Sequence, residues 1–503
     1  MGYFPVRKKN ATATRSFLPI ASGLLVAQAI AVAFVYRSNL QLQAAVTAIE
    51  TAGYLPVPNG TVAATLRDMG PAVWGGLFFT LSVGTGLTLT TWAALLIWDR
   101  ILNRQRKALA LMALGWVGLM VGVNLNGPTL FPSLFCSLVP LATAWTAIRN
   151  SGSDRRQNHP HGIIPVLTLV LLTALWATQL NGQLFVSIRD HVLLSNAVGR
   201  SVNDFYYKYT LYAAEAFKSF GQKTLRTAQI KGIDGANLLN RIERRLARSD
   251  VILTAGSPSA DITIALTENG LLLESGAKPI VHTSLDQFLR NPANDLRAFS
   301  RATDRFGPFR KLTLIGLLVG FPILLFILVY ASAMIGLKFF LGHERAVAAA
   351  SGLCLIIGIM LFVPMLKARP VPINADTLAG ALSARQWPLR VAALRHIAAH
   401  QIEIARYPQY LEIAASPLVV ERYWLARALA GSRDSATYEQ LIRLMKDPHP
   451  NVVCQAYYAL GTRGRPAAID PIQTQMARSG HWYTQWYGYR ALRKLGWHQN
   501  RSQ

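Results

Sequence analysis

The chain has 503 residues, of which 51% are apolar and only 15% are charged, whereas a soluble protein carries about a quarter charged residues. Lys and Arg outnumber Asp and Glu by 51 to 25, which gives a formal net charge of +26. The basic residues stand mainly at the ends of long apolar runs, where such residues orient membrane helices and meet anionic headgroups. We therefore expect a membrane protein with anionic lipid as a partner, and no nucleic-acid partner.

Residues 1–180 are predicted to form an N-terminal membrane region. The first apolar run follows a short basic segment, and its length and the lack of an A-x-A-like site indicate a retained signal anchor rather than a cleaved signal peptide. Each predicted span is long enough to cross about 30 Å of hydrocarbon. The five spans are residues 17–36, 71–98, 108–125, 129–148 and 163–179.

Residues 181–310 are predicted to be an extramembrane α+β domain. Phe205, Tyr209, Tyr212 and Ala216 recur on one face of a helix, and we favour packing or a headgroup-level position for this face over ligand binding. A second amphipathic helix is predicted at residues 236–249. Later segments change to strand periodicity, with an Asn-Gly hairpin and an N-capping Ser284 before a helix at 285–290. The predicted strands are residues 250–255, 261–267, 271–274 and 279–283.

Residues 311–367 are predicted to form a transmembrane hairpin, which brings the total to about seven spans. The flanking Lys and Arg residues place the N-terminus in the cytoplasm; they include Arg7, Lys8, Lys9, Arg155 and Arg156. An odd number of spans then puts the 181–310 domain and the C-terminal segment on the periplasmic side of an inner membrane. The basic cluster at residues 301–311 would also lie outside, which counts against this orientation.

Residues 374–497 carry an internal repeat. The apolar residues Ile397, Leu429, Leu460 and Leu492 fall 32, 31 and 32 residues apart, a period that indicates a helical solenoid. The turn DPHPNV before VCQAYYALG resembles the short HEAT-like repeats of phycobilisome-lyase-like proteins. The resemblance implies stacked helix pairs that offer an elongated surface to another protein, and it carries no catalytic residue. It does not extend to the membrane portion.

The repeats contain the candidate partner-binding residues. Aromatic side chains combined with arginine serve as anchors in protein interfaces, but packing on the chain's own membrane region would explain the same residues equally well. Both interpretations stay open. The candidates are Trp482, Tyr483, Trp486, Tyr487, Arg490, Tyr423 and Trp424.

No pattern in the chain predicts a cofactor or a metal site. Cys136, Cys354 and Cys454 form no CxxC pair, and the fingerprints of nucleotide-binding sites, hydrolases and metalloproteases are absent. His396 and His400 have the i, i+4 spacing of metal ligands, but without a third ligand a surface or packing pair is the favoured interpretation. We expect no catalytic, cofactor-binding or metal-binding residue, although an active site without a known motif stays open.

The predicted fold class is mostly α: a polytopic helical membrane bundle, a small α+β extramembrane domain and a C-terminal HEAT-like α-solenoid. The favoured function is a membrane-anchored scaffold or accessory subunit that organises other membrane or periplasmic proteins. One alternative is a transporter or channel component with 181–310 as substrate or gating domain, although the spans lack the internal charges of ion pathways. Another is a membrane enzyme acting on envelope or lipid-linked substrates, with His191, Asp204 and Glu215 as its first candidates.

Overall fold

The structure, a computed structural model, describes residues 10–150, 163–233, 235–254, 260–367 and 373–501. It is mostly helical, with one small mixed sheet and HEAT repeats at the C-terminal end. The basic residues Arg7–Lys9 and Arg155–Arg156, which the predicted orientation uses, lie outside these ranges.

The regular elements of the N-terminal region are all helices within the described residues. Pro71 and Pro140 are accommodated inside its apolar helices. The helices are α1 (Asn10–Thr51), α2 (Gly60–Ala64), α3 (Met69–Phe79), α4 (Thr85–Arg100), α5 (Arg106–Val123), α6 (Leu130–Asn150) and α7 (Ile163–Ala177).

Helix α1 continues well past the predicted span 17–36. Its 42 residues correspond to about 63 Å at 1.5 Å per residue, roughly twice the thickness of a bilayer's hydrocarbon. Its polar C-terminal turns stay helical because apolar residues there still find a partner: Ile49 is buried in the core of the C-terminal repeats. Helix α1 therefore reaches from the apolar bundle to the repeats.

The segment between the apolar helices folds as a mixed α+β unit. Its elements are α8 (Leu184–Ile188), α9 (Ala197–Ala216), β1 (Arg226–Lys231), α10 (Ala236–Arg248), β2 (Val251–Leu253), β3 (Ile262–Thr267), β4 (Gly270–Ser275), β5 (Lys278–Thr283), α11 (Leu285–Arg290) and α12 (Pro292–Thr303).

The sheet has the order β2-β1-β3-β4-β5, with β1 parallel to β2 and β3, and an antiparallel β3-β4-β5 meander. The four predicted strands are confirmed, Gly270 takes the positive φ that the β3–β4 turn requires, and the Ser284 side chain accepts from the Gln287 amide as an N-cap. Strand β1, which lies inside the sheet between β2 and β3, was not predicted, because its sequence RTAQIK is too polar to indicate a buried strand.

The chain then returns to the apolar bundle. Helices α13 (Gly307–Ile315) and α14 (Phe321–Leu337) are joined by a π turn at Gly316–Gly320 into one long helix, and α15 (His343–Lys367) completes the hairpin. A matching π turn, Thr80–Gly84, joins α3 and α4.

The two π turns pack against each other at very short range. A Cβ added to Gly316 would lie 2.5 Å from the Ser82 carbonyl oxygen, and one on Gly320 would lie 3.0 Å from the Gly86 amide nitrogen. Glycine is required at both positions because the backbones touch.

Six helices within the described residues are long and apolar enough to cross a membrane. They are Phe17–Thr51, Met69–Arg100, Arg106–Val123, Leu130–Asn150, Gly307–Leu337 and His343–Leu366.

The predicted fifth span, residues 163–179, is the shorter apolar helix α7 of 15 residues. It lies beside α15: near its start Ile164 packs against the cluster that contains Ala346, Val347 and Ala350 of α15, and near its end the Trp176 ring meets Phe362 at 5.6 Å. Helices α7 and α15 therefore run in the same direction.

The C-terminal segment is a stack of four helical repeats. The anchors Ile397, Leu429, Leu460 and Leu492 are all fully buried, as their spacing predicts. Each repeat is an outer element followed by an inner helix: α16 (Ala375–Leu382) with α17 (Trp387–His400), α18 (Tyr410–Ala414) with α19 (Val419–Ala428), α20 (Ser435–Leu444) with α21 (Pro450–Arg463), and α22 (Ile469–Arg478) with α23 (Trp482–Lys494).

Candidate protein-interaction surface of the repeats

The inner repeat helices meet the rest of the chain at three contact regions, which we call joints. The first joint is formed by the π turn Arg189–Leu193, which follows α8, and by α19. The Trp424 indole N–H donates to the Asp190 carboxylate at 2.7 Å, and the Arg189 guanidinium donates to the Tyr423 hydroxyl at 2.6 Å. Arg189 Nε also donates to Asp190 at 2.8 Å. A buried carboxylate is thus neutralised by an arginine that stacks on the repeats.

The second joint lies between α9 and the starts of α21 and α23. The Asn203 side chain donates to Asn451 Oδ1 at 2.8 Å, and His449 Nε2 lies 3.1 Å from the Asp204 carboxylate. Further along α9, the Tyr212 ring meets Trp482 edge to face at 4.9 Å. The Asn203–Asn451 pair is buried, whereas the Asp204 side chain of the other polar pair is half exposed.

Burial favours the neutral form of the two histidines in the second joint. Burial lowers the pKa of His449, against the opposing effect of the Asp204 carboxylate. Burial also lowers the pKa of the neighbouring His481 to about 4. At neutral pH the His481 ring is therefore uncharged.

The third joint connects the last repeat to the end of α1 and to the α+β unit. The Gln499 side chain bonds the backbone N–H and C=O of Leu55 at 3.1 and 2.8 Å. The Tyr489 hydroxyl donates to Asp250 at 2.5 Å, and the Tyr54 hydroxyl donates to Glu243 at 2.7 Å. The repeats therefore contact both the segment that follows α1 and the α+β unit.

A phenylalanine cluster connects α9 to the bundle. Phe217, which caps the C-terminal end of α9, has its ring 4.9 Å from Phe34, 4.9 Å from Phe79, 5.3 Å from Phe131 and 4.9 Å from Phe309. These four rings come from α1, α3, α6 and α13. A residue of the α+β unit is thus the centre of the bundle's aromatic core.

Most predicted partner-binding residues take part in contacts within this chain. Trp482, Tyr423 and Trp424 are buried in the joints, and Tyr483 packs on Tyr207 with ring centroids 4.7 Å apart. The self-packing alternative therefore describes their positions in this structure.

Two further candidates, Trp486 and Tyr487, are half-buried, and only Arg490 is exposed, with its guanidinium 4.7 Å from the Trp486 ring. Binding of a partner by any of the seven residues stays a prediction.

The inner helices carry a row of basic and aromatic residues of which only Arg490 and Trp424 are among the candidates predicted from sequence. Cations and aromatic rings alternate across the four repeats, with 5.1 Å from Arg395 to the Trp424 ring, 5.7 Å from Arg427 to the same ring, 5.0 Å from Arg427 to Tyr458 and 4.9 Å from Lys494 to Tyr458. The basic strip, as we call it, consists of Arg395, Arg427, Tyr458, Arg490 and Lys494.

The repeat period could have revealed this strip. Arg395, Arg427, Tyr458 and Arg490 each stand two residues before one of the buried anchors, so they occupy equivalent positions on successive inner helices.

A cavity of about 310 Å³ lies beside the second joint, between α3, α9 and the loop before α23. Aromatic side chains and three ionisable groups share its lining. The lining includes Trp74, Tyr209, Tyr212, Trp482, Asp68, Lys208 and His481.

The sequence candidates for an enzyme each face a different partner. The Glu215 carboxylate pairs with Lys218 at 2.5 Å, Asp204 lies against His449, and the His191 ring lies 5.1 Å from the Trp387 ring. Within the described residues, no three His, Cys, Asp or Glu side chains are grouped to hold a metal ion.

Comparison with known proteins identifies the repeats. A family model described as HEAT repeats matches residues 407–493. The C-terminal segment carries HEAT repeats. The first repeat pair, α16 and α17, lies outside the matched range, and the structure stacks α17 directly on α19. No curated protein and no solved structure matches the chain.

Proposed function

We propose that this protein is a membrane-anchored scaffold that presents its HEAT repeats on one side of the bilayer to recruit or organise other proteins. HEAT repeats generally form extended surfaces for protein partners. The observation that carries the proposal is that three joints attach the repeats to the rest of the chain, while Tyr458, Arg490 and Lys494 of the basic strip on the same inner helices are exposed.

The outer surface of the bundle supports insertion in a membrane. Leu111, Leu114, Leu125 and Ile163 are each about 70% exposed, and such a belt of large apolar side chains is not stable in water. Helix α5 contributes most strongly, since Leu111, Leu114 and Val121 all point away from the bundle. Lipid is the environment that these faces fit.

Contacts between loops support a position of the α+β unit and the repeats on the same side of the membrane. Asn126, between α5 and α6, donates to the Asp304 carbonyl at 3.0 Å, and Leu55, after α1, bonds Gln499 after the repeats. These loops, the 181–306 unit and the repeats can share one side only if α7 also crosses. At about 22 Å, α7 would cross with help from the turn at residues 178–183.

Charge supports the cytoplasm as the opposite side. Arg100, Arg104 and Lys107 stand at the far end of the bundle, as cytoplasmic loops require. Of the basic cluster at 301–311 on the other side, Arg310 is neutralised by Asp304 at 2.5 Å. We therefore place the N-terminus in the cytoplasm of an inner membrane and the repeats in the periplasm.

Photo-crosslinking in native membranes tests the scaffold function. A photoreactive residue at position 458 or 490 of the basic strip should give discrete adducts with other proteins. The same residue at Glu439, exposed on the outer helix α20, is the matched control and should not. Identical adduct patterns from all three positions, or none from 458 and 490, would contradict the proposal.

Nothing in the described residues favours the transporter or enzyme alternative over this one, so no second function is proposed.

A further inference from the structure

We propose that the basic strip binds an extended acidic segment of a partner protein, one with a carboxylate at about every third residue. This inference rests on the proposed scaffold function and specifies the chemistry of the partner.

The strip crosses the whole stack of repeats. Its equivalent positions are Arg395 on α17, Arg427 on α19, Tyr458 on α21 and Arg490 on α23, and Lys494 follows one turn after Arg490. Each ring between the cations holds its neighbours by cation–π contact at 4.9 to 5.7 Å. The cations are therefore oriented before any partner arrives, which lowers the entropic cost of binding.

The strip has no internal counter-charge. Among the described residues, none of the ion pairs involves Arg395, Arg427, Arg490 or Lys494. The one acidic residue of the four inner helices, Glu421, is buried against Arg390 at 2.5 Å. Arginines with free donors are suited to carboxylates, which they can bind through two parallel hydrogen bonds.

The spacing of the strip selects an extended chain. Packed helices lie about 8–10 Å apart, so the strip offers one position per repeat at this interval. A peptide in the extended polyproline II conformation advances about 3.1 Å per residue with three residues per turn, so every third side chain returns to the same face about 9 Å further along. The aromatic Tyr458, 36% exposed, provides an apolar contact in the middle of the row.

One end of the basic strip is already in contact with another segment of this chain, residues 183–190. The Gln183 side chain accepts from Arg395 at 3.2 Å, and residues 189–190 cover Tyr423 and Trp424. An incoming segment would extend this internal contact along Arg427, Tyr458 and Arg490.

The test is peptide binding to the full chain in nanodiscs of phosphatidylcholine, followed by fluorescence anisotropy. The probe is a labelled peptide of about ten residues with Glu at every third position and Ser, Thr and Gly between. The comparison peptide has the same composition with its glutamates contiguous. The spaced peptide should bind several-fold more tightly, and its affinity should fall with salt.

Paired variants locate the site. Arg427→Gln with Arg490→Gln should weaken binding of the spaced peptide roughly tenfold, because two charge-assisted contacts are lost. Arg443→Gln with Arg478→Gln removes the same charge from exposed positions on α20 and α22 and should change affinity less than about twofold. Arg490→Gln with Lys494→Gln, both exposed, repeats the test in case Arg427 is needed for folding.

Equal affinity for the two peptides, equal effects of the variant pairs, or no binding would overturn the proposal. Flotation with phosphatidylglycerol vesicles provides a further arm: if the strip variants abolish vesicle binding but leave peptide binding unchanged, the strip is a lipid site. Crosslinks from positions 458 and 490 in native membranes, together with failure of the peptide test, would keep the scaffold function and refute the acidic-segment proposal alone.

Discussion

Trp424 of the second repeat donates its indole N–H to the carboxylate of Asp190 at 2.7 Å, across 234 residues of sequence. Asp190 is fully buried, and its other partner is Arg189. The Arg189 guanidinium lies 4.0 Å from the centroid of the Tyr423 ring. One carboxylate thus fixes the position of the repeats relative to the segment that leaves the bundle.

Asp190→Ala should destabilise the protein by about 3 kcal/mol, because it leaves the Arg189 guanidinium partly buried without a counter-charge. The expected result is a lower melting temperature in mild detergent and faster proteolysis between the bundle and the repeats. Asp99→Ala is the matched control: it removes the exposed Arg104–Asp99 pair and should cost less than about 1 kcal/mol. Equal losses for the two variants would contradict the account of this joint.

Phe217→Ala should cost about 3–5 kcal/mol, as for other buried phenylalanines, because it empties the centre of a cluster drawn from four helices. The loss is measured as a shift in thermal unfolding of the purified protein. Phe340→Ala, at a side chain that is 87% exposed, should leave the melting temperature almost unchanged. A harmless Phe217→Ala would show that α9 does not depend on the bundle.

Gly316→Ala should destabilise the bundle by about 2 kcal/mol, because the new Cβ would overlap the Ser82 carbonyl and force the two π turns apart. Gly118→Ala is the control, since among the described residues no atom outside the adjacent part of its own helix lies within 4 Å of a Cβ at that position. It should be neutral or slightly stabilising because alanine favours a helix. The measurement is a melting curve of each variant in the same detergent. A Gly316→Ala variant as stable as Gly118→Ala would contradict the close packing of the two π turns.

Acid should weaken the second joint. The pKa of His481 is lowered by burial to about 4, below the ordinary value of about 6.5, so between these values the unfolded chain binds a proton that the folded chain does not. Stability is therefore lost as pH falls from about 6.5 towards 4, by about 2 kcal/mol at pH 5 from this group. Burial lowers the pKa of His449 and His191 as well, so these two groups also reduce stability as the pH falls.

His481→Gln should accordingly reduce the drop in melting temperature between pH 7 and pH 5. His282→Gln, at an exposed position on β5, should retain the full drop. If both variants show the same pH dependence as the unchanged protein, the buried histidine is not responsible. Lys208 and Asp204 are the charged neighbours of His481, and both stay in place in this comparison.

Local patterns in the sequence predict much of the fold. The period of Ile397, Leu429, Leu460 and Leu492 indicates the stacked repeats, because each anchor is buried by its equivalent neighbours. The Asn-Gly pair predicts the β3–β4 hairpin, because the turn requires Gly270 at positive φ. These features depend on residues close in sequence or on a regular period.

Other features depend on contacts that no local pattern encodes. Strand β1 is polar, and it becomes an interior strand of the sheet because β2 and β3 pair with it on both sides. The joint of Asp190 with Trp424 depends on how the repeats dock. For the same reason, aromatic residues typical of an interface, such as Trp482, could not be assigned to a partner or to self-packing from sequence.

Cysteine labelling tests most directly whether the α+β unit and the repeats lie on one side of a membrane, with the α4–α5 loop on the other side. Gln105→Cys, Asn269→Cys and Asn500→Cys place one exposed thiol each in the α4–α5 loop, the β3–β4 turn and the C-terminal end, while the native cysteines are buried. An impermeant maleimide applied outside intact spheroplasts should label positions 269 and 500 and spare position 105 until the membrane is opened. If position 500, like position 105, were labelled only after the membrane is opened, the result would contradict the seven-span arrangement.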